Sequence, residues 1–471
     1  MTALTKQPLR ALSAALAVII IGGVVAWDVF SLSAGRDAAC WALLVFVVIE
    51  ARFLVRGGRI MLAVCLASGL AACAWDPTSL PLLWKALGDA AFIVALFASL
   101  SFLRDAAETS ALIQSCGNWM VRQPPGRRYL VLNTGSHLIS LVLNFGVLPL
   151  LGTMVLKGNT LEAAGGDARI AAIRTRRMMT AILRGYCMMT VWSPLAVAFA
   201  VTQVAIPGLA WWRLLPLQFV LACLLMGLGW LMDRRAFPPS HPPQPENRPT
   251  DAKPLVALAA LIGAVVAAAL VWAELLSVRP VVGAMMVVPV AALAWLTVQH
   301  WKTEGIAAPV IAAHRLAIRL TQSMPGFRNE FIILGGAMFF GRLVSTFLSP
   351  DLTAKVISWV PLPPILLSVL LAWGMMLLAR YGISQIITVT LLGSAIHNLT
   401  QLGIHPLVLA SGLLGAWSLS ATTTPIGAAT LTVARMSGVT SSTVAREWNG
   451  AFLRVGALFL AVWMVALAFV L

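Results

Sequence analysis

Apolar positions in this chain fall in long continuous blocks, not in the alternation of a half-buried strand or the one-sided period of a surface helix. Blocks near 11–31, 39–56, 59–75, 86–103, 178–204, 213–232, 254–276, 280–299, 329–349, 406–435 and 449–471 each approach the ~20 residues that cross a ~30 Å hydrocarbon layer. The pattern therefore predicts an all-α polytopic membrane protein with about eleven transmembrane helices. The alternating ~10-residue segments of an outer-membrane barrel are missing from the sequence.

Two further apolar segments, 129–156 and 362–400, are broken in mid-run by polar residues and glycine: Asn133-Thr-Gly-Ser-His137 and Asn144-Phe-Gly146 in one, Arg380-Tyr-Gly-Ile-Ser-Gln385 in the other. Irregular backbone at membrane depth survives only where protein or a water-filled cavity shields it, so both are expected to be re-entrant hairpins. Residues 236–253 hold a run of prolines that no helix interior accommodates, and they are read as a cytoplasmic linker. Residues 302–328 scatter Lys302, Arg315, Arg319 and Arg328 among apolar residues, which predicts an amphipathic helix lying on the cytoplasmic face.

The two sides of that linker echo each other. Trp192-Ser193-Pro194-Leu195-Ala196 in the first half corresponds to Thr423-Thr424-Pro425-Ile426-Gly427 in the second, and Leu150-Leu-Gly152 to Leu391-Leu-Gly393. The expected organisation is an additional N-terminal helix in 1–38, a first repeat in 39–235, the linker 236–253 and a second repeat in 254–471. An odd number of spans per repeat inverts the second copy, as in secondary transporters with helices broken near the bilayer midplane.

Composition agrees: 60% of residues are AVILMFWYC and only 11% are charged. The formal charge of +16 reads first as a topology signal, because basic residues collect in cytoplasmic loops. With a cytoplasmic N-terminus and two hairpins, roughly 25 of the 33 basic residues fall inside, placing the C-terminus in the periplasm of a bacterial inner membrane. The N-terminal block exceeds a signal-peptide h-region and is read as a retained helix. The six cysteines form no CxxC pair and indicate neither zinc nor a disulfide framework. The bilayer and a small solute are the expected partners, and nucleic acid is not.

The layout resembles the ion transporter superfamily, which groups divalent anion/sodium symporters, arsenite and citrate permeases and related sodium/proton antiporters. The resemblance spans ~39–471 and is carried by Arg127-Arg128 ahead of the first hairpin, the Ser/Thr-Pro broken helices and their repetition after a linker. It implies a homodimer in which hairpins and broken helices form a mobile domain moving solute by an elevator motion. The Ser-Asn-Thr hairpin signature of the symporters is replaced here by Leu143-Asn144-Phe145 and Ser384-Gln385-Ile386, and the Asn-Asp pair of arsenite and sodium/proton members is missing.

Candidate binding residues are the short polar side chains of the hairpins and breaks: Asn133, Thr134, Asn144, Ser384, Gln385, Thr388, Ser193, Pro194, Thr423, Thr424 and Pro425. Such groups bind a carboxylate or offer oxygens to Na⁺, expected near Asn144, Ser193 and Thr424; their alternative role is to cap turns and bond back to the preceding helical turn. No other cofactor is expected. Arg342 and His137, ionisable groups within apolar runs, complete the set, since charge at membrane depth is costly and marks function by default. The chemistry best served is secondary active transport of a small, carboxylate-like anionic solute coupled to Na⁺ or H⁺. A cation/proton antiporter or an inorganic oxyanion permease of the same fold is the alternative. A membrane-embedded enzyme would need a HExxH, GxSxG or paired-carboxylate motif, which the sequence lacks.

Overall fold

The computed structural model describes residues 3–206, 208–238, 252–347, 351, 354–355, 358–360 and 362–471. Most of the expected 236–253 linker, 239–251, lies outside the described residues. Among the described residues there is no strand, and ten helical stretches, several of them interrupted by a turn, are long and apolar enough to cross a membrane. The chain is an all-helical, multi-pass membrane protein. Its residues divide into two compact units: unit 1 comprises Met1–Ala107, Ala264–Trp359 and Ile386–Ala395, and unit 2 comprises Glu108–Gly263, Val360–Gln385 and Ile396–Leu471.

In unit 1, α1 (Ala3–Phe30) packs along α2 (Ser33–Glu50) and also meets α12 (Pro280–Glu304) and α13 (Ala308–Gly326), while α3 (Arg56–Trp75) lies on α14 (Arg328–Phe347). Helix α13 covers the segment whose basic residues predict an amphipathic helix. Helix α4 (Leu80–Glu108) is apolar around most of its circumference and buried along Ala90–Leu96, as expected for a helix with neighbours on all sides. Three ion pairs are seen within the unit. Arg279 Nη2 lies 2.8 Å from Asp28 Oδ1, Arg328 Nε 3.2 Å from Glu50 Oε2, and Arg342 Nε 3.2 Å from Asp89 Oδ2.

Unit 2 contains α5 (Ala111–Val121), α6 (Pro125–Leu143), α7 (Val147–Gly158), α8 (Ala168–Trp192), α9 (Val197–Ala205) and α10 (Trp211–Ala236). From the second half it takes α15 (Pro364–Arg380), α18 (Pro406–Thr423), α19 (Ala428–Ser437), a π-helical turn at Thr443–Trp448 and α20 (Gly450–Val470). The shorter α16 (Gln385–Leu391) contributes only Gln385 here, the rest belonging to unit 1, and α17 (Gly393–Gln401) joins unit 2 from Ile396.

The first hairpin is real. Met120 on α5 lies against Gly135, and Gly117, one turn earlier, lies against Met154. A straight helix would hold residues 135 and 154 about 28 Å apart, so the chain must turn back between them. It does so at Asn144–Gly146, where Asn144 adopts φ 49° and ψ −126°.

The internal repeat is equally visible in the packing of unit 2. Helix α6 packs on α8 as α15 packs on α18; α8 packs on α10 as α18 packs on α20; α6 touches α10 as α15 touches α20. Across the two copies, α8 meets α19 and α18 meets α9. That reciprocity is what a two-fold relation produces, each surface meeting its own counterpart. The hydroxyl of Ser418 donates to the carbonyl of Cys187 at 2.9 Å, a residue 231 positions away, and the same offset relates Ser193 to Thr424.

Candidate solute and ion site at two broken helices

Each long helix of the repeat stops at a hydroxyl residue followed by proline. Proline has no N–H, so Pro194 removes the helical donor of the Thr190 carbonyl and Pro425 that of Ala421. Both breaks then form the same β-turn, with proline at the position its fixed φ suits. Ala196 N donates to Ser193 O at 3.0 Å, and Gly427 N donates to Thr424 O at 3.0 Å. Residues Ser193 (φ −71°, ψ 129°) and Thr424 (φ −81°, ψ 113°) share one extended conformation. Beyond each turn a new helix starts, α9 or α19, with its first amides unpaired by the helix itself. Every break therefore sets a carbonyl-rich helix end beside an amide-rich one, a local arrangement that favours a cation on one side and an anion on the other.

Side chains distinguish the breaks. In the first, Ser193 Oγ accepts from Leu195 N at 3.1 Å, and Ser193 through Ala196 are all buried. In the second, hydroxyl protons point back into the helix: Thr422 donates to Leu419 O at 2.7 Å, Thr423 to Leu419 O at 3.0 Å, and Thr424 to Ser420 O at 2.7 Å. The Thr430 hydroxyl caps the Thr424 and Gly427 carbonyls. With their protons committed, these hydroxyls offer only lone pairs. The turn is also open, Pro425 half-buried and Ile426 58% exposed.

The turn that follows α15, in the segment expected to be the second hairpin, lies on this second break. Gly382 holds φ 94°, and a methyl group there would overlap the end of Ile426; Gln385 Nε2 donates to Ser420 Oγ at 3.2 Å. Gln385, Thr423, Thr424 and Pro425 are thus brought together, with half-buried Ser384 beside them in sequence.

The first hairpin is fused to its helix. Ser136 Oγ donates to Ile182 O at 2.7 Å, His137 Nδ1 lies 3.3 Å from Gly185 O, and Trp192 Nε1 donates to His137 Nε2 at 3.1 Å. Because Trp192 donates to Nε2, His137 carries its proton on Nδ1 and is a neutral ring with both nitrogens engaged. The fit depends on Gly185, where any β-carbon would overlap the Asn133 carbonyl and the Ser136 hydroxyl. Asn133 is fully buried, and its side-chain amide makes no hydrogen bond. Thr134 and Asn144 are half-buried. Thr388 and Arg342 belong to unit 1, where Thr388 is buried and Arg342 pairs with Asp89.

Three features escape a reading of the sequence. Ser420 meets Gln385 through a fold, although the hydroxyl run Ser418-Leu-Ser420-Ala-Thr422 marks it in hindsight. Asp89 neutralises Arg342. Arg184, 5% exposed, donates to Asn449 Oδ1 at 2.8 Å, Tyr129 OH at 3.1 Å, Trp448 O at 3.2 Å and Gly229 O at 3.3 Å, with the Phe452 ring 4.3 Å beneath its guanidinium. All of these partners are neutral. A buried guanidinium is tolerated when its donors are met, and here it ties α6, α8 and α10 to the π-helical turn.

No protein-family model matches the chain, and no curated protein sequence does. Among solved structures it is similar to the YdaH transporter of Alcanivorax borkumensis, with a TM-score of 0.57 over 87% of this chain and 98% of that one, at 15% identity. At that identity the likeness is one of fold.

Proposed function

We propose that the chain is a secondary active transporter of a small, carboxylate-like anionic solute, coupled to a cation, of the broad group that the ion transporter superfamily represents. The observation that carries this reading is the pair of Ser/Thr-Pro turns, alike in backbone and related by a repeated packing pattern, within the unit that also holds the first hairpin and the turn at Gly382–Gln385. The fold shared with a YdaH transporter supports it. An enzyme of the bilayer has no use for such a repeated pair, whereas alternating access does.

Within this reading the solute and ion occupy the second break. Its hydroxyl lone pairs and freed carbonyls suit Na⁺, and the amide end of α19 suits the anion. Na⁺ is favoured over H⁺ because His137 has both ring nitrogens engaged within the protein. The presence of the first hairpin and both broken helices in one unit fits an elevator motion, in a homodimer of the bacterial inner membrane with the N-terminus cytoplasmic and the C-terminus periplasmic.

The test is a thermal-stability screen of purified protein against mono- and dicarboxylates, sulfate and metal oxyanions, each with and without Na⁺, because a ligand bound only by the folded state raises apparent stability. A carboxylate that stabilises only with Na⁺, and that accumulates in proteoliposomes under a Na⁺ gradient, is the expected result. Response to an oxyanion alone would move the assignment to an inorganic anion permease. Cation exchange without any solute would move it to an antiporter.

A further inference from the structure

We infer that the outward face of α10 is a docking surface for an anionic phospholipid, its phosphate held by Arg176, Arg234 and Arg235 at one end of unit 2. One side of α10, from Leu214 through Gln218, Leu221 and Leu225 to Gly229, is buried, and the helix packs on α6, α8, α18 and α20. The other side carries Val220, Cys223, Leu224, Gly227 and Leu231, all exposed and recurring at the three- and four-residue spacing that puts them on one face. An arginine bounds each end of this stripe. The Arg213 guanidinium lies 4.6 Å from the centre of the Trp212 ring, and that of Arg234 lies 5.4 Å from the Trp230 ring. Between Arg213 and Arg234 the helix rises about 31 Å, 21 residues at ~1.5 Å each, which matches the ~30 Å hydrocarbon layer. The stripe therefore has the length of the lipid chains of two leaflets, with a Trp–Arg pair at each headgroup level.

The two ends differ in charge. At the Trp212 end α10 carries Arg213 alone. At the other end Arg234 and Arg235 are adjacent and exposed, and α8 adds Arg176 and Arg177, whose guanidinium groups lie 5.6 and 5.2 Å from the Phe237 ring. Arg177 is neutralised: its Nε and Nη2 donate to the two oxygens of Asp233, the one acid of α10, at 3.2 and 2.8 Å. Arg176 is oriented by its Nη2, which donates to the Glu447 carbonyl at 3.1 Å, while the Glu447 carboxylate accepts from the Thr443 hydroxyl at 3.1 Å. Arg176, Arg234 and Arg235 form no ion pair among the described residues. Three such guanidinium groups at the end of an apolar stripe complement a phosphodiester whose acyl chains run along α10. A zwitterionic lipid brings its own cation beside the phosphate, so the surface selects net negative charge. In the orientation proposed above this is the cytoplasmic end, where anionic headgroups meet basic residues. The bound lipid would join the end of α10 to α8, and the surface stands independently of the solute and ion assigned to the breaks.

The experiment uses the full-length protein, delipidated in a neutral detergent. Thermal unfolding is followed as phosphatidylglycerol or phosphatidylcholine is added to the micelles, and native mass spectrometry counts the lipids and subunits retained. Wild type is compared with Arg176→Gln, Arg235→Gln and the double variant Arg234→Gln/Arg235→Gln, and with Arg213→Gln at the opposite end of the same stripe. Phosphatidylglycerol should stabilise wild type and Arg213→Gln at a lower mole fraction than phosphatidylcholine does. The mole fraction giving half the shift should rise about fivefold for each arginine lost and roughly 25-fold in the double variant, the equivalent of ~1 kcal/mol per charge at a lipid surface. Arg234→Lys/Arg235→Lys keeps the charge and should restore the preference, which separates the charge from packing on Trp230. Should the double Gln variant fail to fold, Arg235→Gln, an exposed side chain, carries the test alone. Equal response to the two lipids, equal response in every variant, or a weakening by Arg213→Gln as large as that by Arg235→Gln would overturn the assignment. A change in subunit number in place of lipid retention would also overturn it, and would make the stripe a contact between copies.

Discussion

The two broken helices of unit 2 have one backbone and two chemistries. Their turns superpose hydrogen bond for hydrogen bond, yet the first approaches its proline through Cys187, Met189, Val191 and Trp192, where the second has Ser418, Ser420, Thr422 and Thr423. At the next equivalent pair upstream, the first half places Arg184-Gly185 where the second places Gly415-Ala416. The first break is buried and its hairpin welded to it; the second is open and lined with lone pairs. Repetition fixes the turn, and divergence decides which copy is free to bind.

The largest test of that contrast is steric. Gly185→Ala drives a methyl group into the Asn133 carbonyl and so separates α6 from α8; overpacking of this kind costs about 3 kcal/mol. Thermal unfolding should show a strong loss, and Ala416→Gly, the reverse change at the equivalent site, a loss of about 1 kcal/mol or less. Similar losses at the two sites would mean that the first half is no more tightly closed than the second.

A smaller effect separates the hydroxyls. Thr424→Ala removes a lone pair from the proposed ion site, worth ~1–3 kcal/mol and so about 5- to 150-fold in affinity. The Na⁺ concentration for half-maximal uptake into proteoliposomes should rise accordingly and recover in Thr424→Ser. Ser193→Ala, which loses only an acceptor for Leu195 N inside a buried turn, should leave Na⁺ dependence near wild type. Equal shifts in both variants would make the two breaks functionally alike.

The smallest effect concerns Asn144, whose φ of 49° with ψ of −126° is glycine's territory and costs other residues of order 1 kcal/mol. Asn144→Gly should raise the melting temperature slightly. Unchanged uptake in that variant assigns Asn144 to the turn alone; reduced uptake in a more stable protein assigns its amide to the solute or ion.

How much of this was legible beforehand depends on how local the cause is. The Ser-Pro and Thr-Pro breaks are visible in the sequence because proline acts on its own helix, four residues back. The hairpin at 144–146 is visible because polar residues interrupt an apolar run. Arg184 is the opposite case: its partners Tyr129, Gly229 and the adjacent Trp448 and Asn449 come from three separate segments, and nothing near it in sequence distinguishes a buried guanidinium from one that reaches an interface. Arg342 reads as an unpaired intramembrane charge until the fold brings Asp89 to it. His137 reads as an ionisable binding group at membrane depth until Trp192 is found donating to its second nitrogen.

The contact between Cys187 and Ser418 carries a consequence for how such a molecule came to exist. On a two-fold axis equivalent positions face each other, so in a half-length ancestor that paired with a second copy, one side chain would have met its own image. Only a small side chain fits opposite itself at the closest approach of two helices. Cys187 and Ser418 are both small, and the Ser418 hydroxyl donates its proton to the Cys187 carbonyl, a bond that a cysteine thiol, a weak donor, makes poorly. A change at this crossing is therefore felt by both halves at once.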